Sequence, residues 1–323
     1  MEKKFKQIPE YKEGEAVNDL FVVRFKKPIR QTRNAKHFFE LKLQDALGDT
    51  MLKFWGTQNR ESIQLLYDSI KPDNVIKVIN GRINIYRNNI EISVSEDMGT
   101  IKVIKKGDYN IKDFIRKSER DPDEMMQELQ NIISTIKKPE LKSVIDSFFD
   151  DEKFAKEFKL APAAMYKHHG WVSGLLEHTL TVTKICDDIS KHHPKLDREL
   201  LLTGAIFHDI GKIEEFEVTT LIKVTDKGNL LGHITIGIQM LTEKIKSLNV
   251  SDITKQKLLH MLISHHGSKE YGSPKEPSFP EALVLSKVDE LDAFVTQMTD
   301  IKESSVTEDS FMYSKDFGNI FLH

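Results

Sequence analysis

The spacing of apolar residues changes near residue 105, and this change constrains the fold more than any other feature of the sequence. Residues 18–104 contain short segments rich in Val, Ile, Phe and Tyr, separated by turn-forming residues, which predicts β-strands. Beyond residue 108, apolar residues recur at helical spacing, as in the segment DEMMQELQNIISTIKK. A chain of 323 residues has room for two domains, and the pattern predicts a β-rich first domain and a helical second one.

The predicted strands occur in an informative order. Five segments qualify, DLFVVRF, HFFELKLQD, MLKFWG, NVIKVINGRINIYR and NIEISVSE, and one helical segment, NRESIQLLYDSI, falls between the third and fourth. Five strands with a helix before the fourth is the order of an OB-type β-barrel, while a different small barrel or an open sheet remains an alternative. The predicted domains are a barrel over residues 1–105, a helical connector over 106–160, an all-α bundle over 161–300, where the pattern stays helical, and a C-terminal tail over 301–323 without a clear pattern.

Composition excludes several classes of protein. Cys186 is the only cysteine, so a disulfide framework and a thiolate zinc site are both excluded. No apolar stretch approaches the roughly 18 residues that a membrane span needs. The basic N-terminal segment is not followed by the apolar region of a secretory signal, and we therefore expect a cytoplasmic protein.

Ionisable residues recur on the apolar faces of separate predicted helices. They are His178, His208, Asp209, His233, His265, His266 and Asp289. A single such histidine is usually a hydrogen-bonded core residue. Two inward carboxylates are different, because a buried carboxylate needs a compensating charge and Lys212 supplies only one. Imidazole and carboxylate ligands without thiolate are typical of catalytic Mn, Fe, Co or Zn, and their number suits two ions that share one carboxylate.

The same residues resemble a known signature. The series His178, His208–Asp209 and Asp289 is similar to that of the HD-superfamily phosphohydrolases, and HDIGK resembles their H-D-x-G-K form. The remaining three histidines match the added ligands of the two-metal members. With the N-terminal barrel and the run APAAMYKHHGWVSGLLEHTL, the whole chain except its C-terminal tail resembles the YhaM-type 3′→5′ exoribonucleases.

The resemblance implies an activity and a ligand assignment. The expected reaction is hydrolysis of single-stranded RNA, with single-stranded DNA as an alternative substrate, to 5′-mononucleotides by a metal-bound hydroxide. Mn is the favoured metal, and Fe, Co, Zn and Mg are alternatives. The first metal would bind His178, His208, Asp209 and Asp289, and the second would share Asp209 and bind His233, His265 and His266. Asp209 and Lys212 are the predicted catalytic residues, the lysine neutralising a phosphate oxygen.

Basic and aromatic residues are concentrated near the N-terminus. Residues 1–110 hold 20 Lys and Arg against 15 Asp and Glu, whereas the remainder holds 27 against 35. A run of six basic residues without an acid extends over residues 24–36, and aromatic residues follow it. Because single-strand binders combine a basic groove with stacking rings, we expect Arg33, Lys36 and Trp55 to contact nucleic acid.

Two other functions remain open from the sequence. A phosphodiesterase for a small nucleotide, such as a cyclic dinucleotide, would use the same ligands, but the loop GSKEYGSPKEP lacks the G-Y-P motif usual in those enzymes. A nucleic-acid-binding protein with a purely structural bundle would have lost ligands, and none is lost. His168 and His169 could contact substrate, although a loop pair of this kind is more often solvated. Oligomeric state is not specified.

Overall fold

A computed structural model describes residues 5–86, 89–165, 169–305 and 309–323. These residues form two compact units, one built mainly from the chain up to Arg116 and the other mainly from Lys117 onward. Within the described ranges, no helix combines the length and the apolar character needed to cross a membrane.

The N-terminal unit is a nine-stranded sheet with one helix. Helix α1 spans Arg60–Ser69, between the fifth and sixth strands. The strands are β1 (Ala16–Val17), β2 (Leu20–Lys26), β3 (Arg30–Gln31), β4 (His37–Gln44), β5 (Asp49–Trp55), β6 (Val75–Ile79), β7 (Gly81–Tyr86), β8 (Asn89–Ser95) and β9 (Thr100–Val103).

The pairing of these strands gives a curled sheet of the OB type. Strands β2, β4 and β5 form an antiparallel meander, and β5 then pairs in parallel with β8. β8 pairs with β7, while β6 returns to β2. β6 and β7 follow each other directly, with Asn80 (φ 54°) between them, so the sheet curls round on itself. This curled sheet, with α1 before β6, confirms the OB-type fold.

Alternation along the strands fills the interior of the barrel. Phe39, Leu41 and Leu43 of β4 are fully buried, and Leu52 of β5 joins them in the same core. Phe38 is only half-buried and lies on the opposite face of β4 from Phe39. Successive residues of a strand point to opposite faces, so the pair Phe38–Phe39 supplies one core ring and one outer ring.

The C-terminal unit is helical, as the spacing of its apolar residues predicts. Its helices are α2 (Pro122–Ile133), α3 (Pro139–Phe149), α4 (Glu152–Leu160), α5 (Gly174–His192), α6 (Arg198–Phe207), α7 (Lys212–Glu215), α8 (Asp226–Ile245), α9 (Asp252–Ser264) and α10 (Pro280–Ser304). Side-chain oxygens cap many of their starts, as Asp121 does for α2, Asp197 for α6 and Ser251 for α9. Helices α2–α4, from the stretch expected to form a connector, share one hydrophobic core with α5–α10.

The expectation that residues 161–300 are helical throughout is wrong at one place. Two short antiparallel strands, β10 (Phe216–Val218) and β11 (Ile222–Val224), form a hairpin between α7 and α8. Four of the six strand residues are aromatic or β-branched, and these residue types favour extended backbone. The run is too short for helical spacing to be distinguished from strand alternation.

The C-terminal tail also has structure that its sequence did not indicate. Strands β12 (Phe311–Ser314) and β13 (Gly318–Phe321) pair as a second antiparallel hairpin. Gly318 has a φ of 70°, a conformation that favours glycine, at the point where the chain returns. The sequence between the two strands, KDF, lacks the Asn-Gly or Asp-Gly signal of a common tight turn.

Candidate metal centre and barrel surface

The seven predicted ligands come from five places in the helical unit and meet around Asp209. His178 lies in α5, and His208 and Asp209 follow the last residue of α6. His233 directly follows a kink in α8 at Gly232. The other three are His265 and His266, at the end of α9, and Asp289, in the middle of α10.

One ligand group surrounds the Nε2 atom of His178. This atom lies 3.1 Å from His208 Nε2 and 3.1 Å from Asp289 Oδ1. Oδ2 of Asp209 lies 3.5 Å from the same atom and 3.4 Å from His208 Nε2. Atoms that bind one ion at about 2.0–2.2 Å are separated from each other by about 3–3.5 Å, so these four side chains have the spacing of a shared ion.

A second ligand group lies on the other side of Asp209. Nε2 of His233 and Nε2 of His265 are each 3.5 Å from Asp209 Oδ1. His266 completes this group, because a ligand atom from each of the three histidines lies within 4.8 Å of the others. Asp209 therefore turns one carboxylate oxygen towards each group, which is the arrangement of a bridging ligand.

The buried polar atoms of the centre fit a cation. Asp209 is only 1 % exposed, and its Oδ1 has no hydrogen-bond partner among the described residues. The same is true there of Nε2 in His233 and in His265. Buried polar atoms are rarely left unsatisfied. Three such atoms that face one another, one of them anionic, supply the donor set that a divalent metal requires.

Electrostatics keeps both carboxylates ionised. Burial alone would raise the pKa of Asp209, yet Lys212 and His208 hold that pKa well below its usual value. Burial is likewise opposed at Asp289, where the neighbouring His178 and His208 keep the pKa well below the usual range. Both side chains are therefore charged at neutral pH, as metal ligands must be.

Two histidines of the second group have lowered pKa values. Burial lowers the pKa of His265, and burial together with the neighbouring His265 lowers the pKa of His266 to about 4. His208 behaves differently, since burial is outweighed by Asp209 and Asp289, which raise its pKa.

Lys212 is directed at the centre. Its Nζ lies 2.5 Å from Asp209 Oδ2, and the residue is 8 % exposed. The alternative of a solvated lysine at a helix end does not describe this side chain. Its contact with substrate phosphate stays a prediction.

A close approach between backbones allows Asp209 and His233 to meet. A Cβ atom at Gly211 would lie 2.0 Å from the carbonyl oxygen of His233 and 2.6 Å from the backbone nitrogen of Gly237. Backbone atoms cannot move aside as a flexible side chain can, so only glycine fits here. This contact gives a structural reason for the glycine in HDIGK.

Two residues around the centre, Asp292 and Glu215, were not singled out in the sequence. Asp292 accepts from His178 and lies three residues after Asp289, and Glu215 contacts His233. His169 is 4 % exposed, so the expectation of a solvated loop histidine is wrong for it. The same expectation named His168, which lies outside the described residues. The three-residue spacing of Asp289 and Asp292 was the available signal, because it places both on one helix face.

The predicted nucleic-acid residues lie on the surface of the barrel. Arg33 and Lys36 are exposed in the connection between β3 and β4. Trp55 is 36 % exposed at the end of β5, where it stacks on Phe38 across the strands with 5.1 Å between ring centroids. Its indole N–H donates to Ser93 Oγ at 3.0 Å. Both outer rings thus lie on the face formed by the second and third barrel strands, where OB folds bind oligonucleotides.

Gly211→Ala tests the close approach. We expect this variant to push α8 away from the α6–α7 turn, at a cost of about 1–3 kcal/mol, and to weaken Mn²⁺ binding measured by calorimetry. Gly237→Ala is the matched control, since its Cβ would meet its nearest neighbours at 3.4–3.5 Å, an ordinary contact. Equal metal affinity in the two variants would contradict the role given to Gly211.

Comparison with known proteins matches the helical domain to a family model and most of the chain to known enzymes. The family model of the HD domain matches residues 175–293. The 3′-5′ exoribonuclease YhaM of Bacillus subtilis (strain 168) is 33% identical over 265 residues, covering 82% of this chain and 81% of the relative. YhaM of Bacillus licheniformis is 33% identical, covering 82% and 81%, and YhaM of Bacillus velezensis is 32% identical, covering 88% and 87%.

A match over 82–88% of the chain is longer than either unit, so the likeness is not confined to one domain. At such identity and coverage, the chain belongs to the YhaM family of 3′-5′ exoribonucleases.

Proposed function

We propose that this protein degrades single-stranded RNA from its 3′ end and releases 5′-mononucleotides, with divalent metal held by the seven His and Asp residues. The observation that carries the proposal is the position of Asp209, a buried carboxylate with one oxygen towards each of two imidazole groups. Family membership supports the direction of degradation and the class of substrate.

The reaction is hydrolysis at phosphorus. Water supplies the oxygen that bonds to phosphorus, the bond from phosphorus to the ribose 3′-oxygen breaks, and that oxygen takes up a proton. The shortened strand keeps a 3′-hydroxyl and the released nucleotide keeps a 5′-phosphate. A bound divalent cation would supply Lewis-acid chemistry, by lowering the pKa of water and neutralising phosphate charge.

The chain's own residues orient this chemistry. His178, His208 and Asp209 are almost fully buried, whereas the side chains of His233 and Asp289 are 15% and 13% exposed. A phosphate therefore approaches from the side of these two less buried residues. Manganese is the metal that we propose, because the donors are imidazole and carboxylate without thiolate and the family resemblance favours it.

Lys212 has a separate role in this proposal. Its ammonium group lies against Asp209 and is held in a nearly buried position. From there it neutralises a phosphate oxygen as negative charge develops in the transition state. The lysine is thus a charge partner of the substrate rather than a metal ligand.

The barrel would hold the single strand. Trp55 and Phe38 offer ring faces on which bases can stack, and Arg33 and Lys36 offer positive charge for phosphates. This surface favours a polymer over a cyclic dinucleotide as the substrate. A purely structural bundle is less well supported, because none of the seven ligand positions is missing.

Replacement of Asp209 by Asn tests the metal centre. The change keeps the shape of the side chain and removes the charge that faces both groups, so metal content and exonuclease activity should both fall, the activity by orders of magnitude. Asp188→Asn, on an exposed part of α5, is the control and should retain both. Full 3′→5′ degradation by Asp209→Asn on 5′-labelled RNA would refute the assignment.

Lys212→Ala separates charge stabilisation from metal binding. Metal content should persist in this variant, while turnover falls by the equivalent of about 2–4 kcal/mol of transition-state stabilisation. The measurement is single-turnover cleavage together with metal analysis of the same sample. Loss of metal in Lys212→Ala would show that the lysine supports the centre rather than the substrate.

Trp55→Ala tests the barrel surface. Loss of a stacking ring should weaken single-stranded RNA binding by about 1–3 kcal/mol, whereas Trp55→Phe should retain most of the affinity. Fluorescence anisotropy with chelator present measures binding without cleavage.

The double change Arg33→Ala and Lys36→Ala should reduce the salt dependence of binding by a log–log slope of about 0.7 per lost phosphate contact.

The control for charge is the double change Lys105→Ala and Lys106→Ala, which removes two exposed lysines elsewhere in the same unit. Its salt dependence should match that of the unchanged protein. Equal effects of the two double variants would mean that the barrel attracts RNA through overall charge rather than through this surface.

A further inference from the structure

The five candidate histidine ligands share a feature on the side facing away from the centre. In each ring, Nδ1 lies near an oxygen atom that can accept a hydrogen bond. The acceptors are Ala205 O for His208 at 2.8 Å, Leu262 O for His265 at 2.6 Å, Tyr271 O for His266 at 3.0 Å, Asp292 Oδ2 for His178 at 2.6 Å and Glu215 Oε2 for His233 at 3.2 Å.

These contacts set the position of the ring proton. A carbonyl or an ionised carboxylate accepts hydrogen bonds and cannot donate one. Nδ1 therefore carries a hydrogen in each ring, and an imidazole that binds an ion then presents its lone pair at Nε2. For His178, His233 and His265, that is the atom 3.1–3.5 Å from the central carboxylates.

Three of the five acceptors are backbone carbonyls and two are carboxylates. The carboxylates are distributed evenly, since Asp292 contacts His178 in the first ligand group and Glu215 contacts His233 in the second. A carboxylate behind a metal-bound imidazole fixes its tautomer and also raises its basicity, which a neutral carbonyl does less strongly.

Asp292 is fixed by its surroundings. It lies one turn after Asp289 in α10. Asp292 faces Nδ1 of the His178 ring, and Asp289 faces Nε2 on the opposite edge. The accepting oxygen of Asp292 is also 3.0 Å from His169 Nε2. Asp292 and His169 are 7 % and 4 % exposed, so neither side chain has room to rotate away.

Glu215 contacts both the backbone and the ring of His233. Its Oε1 accepts from the backbone N–H of His233 at 3.1 Å, and its Oε2 contacts Nδ1 of the same residue at 3.2 Å. His233 directly follows Gly232, where the φ of 70° breaks α8. Glu215 thus satisfies a backbone donor at the restart of the helix and orients the ring that follows.

We propose that Asp292 and Glu215 are positioning residues for the metal centre, one for each ligand group, which fix the Nδ1-protonated tautomer of His178 and His233. The inference rests on the proposed ligand set. Partners of this kind contribute about 10–100-fold to metal affinity. His169 supports the arrangement by holding the carboxylate of Asp292.

A competing arrangement would make Asp292 a direct ligand. Ligand atoms of His169, His178 and Asp292 lie within 4.8 Å of one another. An ion there would bind Nδ1 of His178, the atom that is already in a 2.6 Å contact with Asp292. Nε2 of the same ring faces His208 in the first ligand group. The spacing of that contact is that of a hydrogen bond, which favours positioning over coordination.

The test uses full-length Asp292→Asn and Glu215→Gln, with neighbouring carboxylates as controls. Glu290→Gln changes an acid of α10 that pairs with Lys287, and Glu214→Gln changes one of α7 that pairs with Lys227. Calorimetric titration with Mn²⁺ in the absence of RNA should show a 10–100-fold loss of affinity in the two test variants, an unchanged number of ions, and no more than a twofold change in the controls.

The tautomer itself supplies the second readout. In ¹⁵N-histidine spectra of the metal-free protein, among the five candidate ligand histidines Asp292→Asn should change the tautomer signature of His178 only, and Glu215→Gln that of His233 only. Unchanged affinity and spectra would overturn the inference, and loss of one whole ion in Asp292→Asn would identify a direct ligand instead. An unmodified protein that binds no Mn²⁺ would instead contradict the proposed metal centre itself, so the two failures are distinguishable.

Discussion

The buried charge of Asp209 is the constraint on which the helical unit depends. A carboxylate that is 1 % exposed loses nearly all of its hydration, and burying it uncompensated is strongly unfavourable. The surrounding residues provide imidazole nitrogens on both sides and one ammonium group, from Lys212. Two acidic side chains are nevertheless present within the first ligand group alone. A divalent cation would complete the neutralisation, and the same cation would provide the chemistry of phosphodiester hydrolysis.

The fold solves a geometric problem that this constraint creates. Ligands that are far apart in sequence must converge, and the protein places most of them where helices end or break. His208 and His265 follow the last turns of α6 and α9, and His233 follows the break at Gly232. Backbone carbonyls near helix ends lack partners within the helix, so Ala205 and Leu262 are available to orient these rings. The end of a helix therefore also provides the carbonyl groups that orient the candidate ligands.

Much of this arrangement could be predicted from the sequence, for a physical reason. His178 and Asp289 lie at helical spacing from buried apolar residues, and a polar group on such a face must point inward. Asp292 carried one signal, its three-residue spacing from Asp289, which places both on one helix face. Glu215 could not be recognised in this way, because it lies in a helix of only four residues. The hairpin of β10 and β11 was not predicted, because strands of three residues are too short to show a two-residue alternation. The barrel was predicted because its strands are long enough to alternate and α1 falls at a diagnostic place.

The central claim is that Asp209 joins two metal-binding groups. Anomalous diffraction from crystals of the manganese-loaded protein measures this most directly. Two manganese peaks are expected on either side of the Asp209 carboxylate, one among His178, His208 and Asp289 and the other among His233, His265 and His266. A single peak away from Asp209, for example among His169, His178 and Asp292, would contradict it.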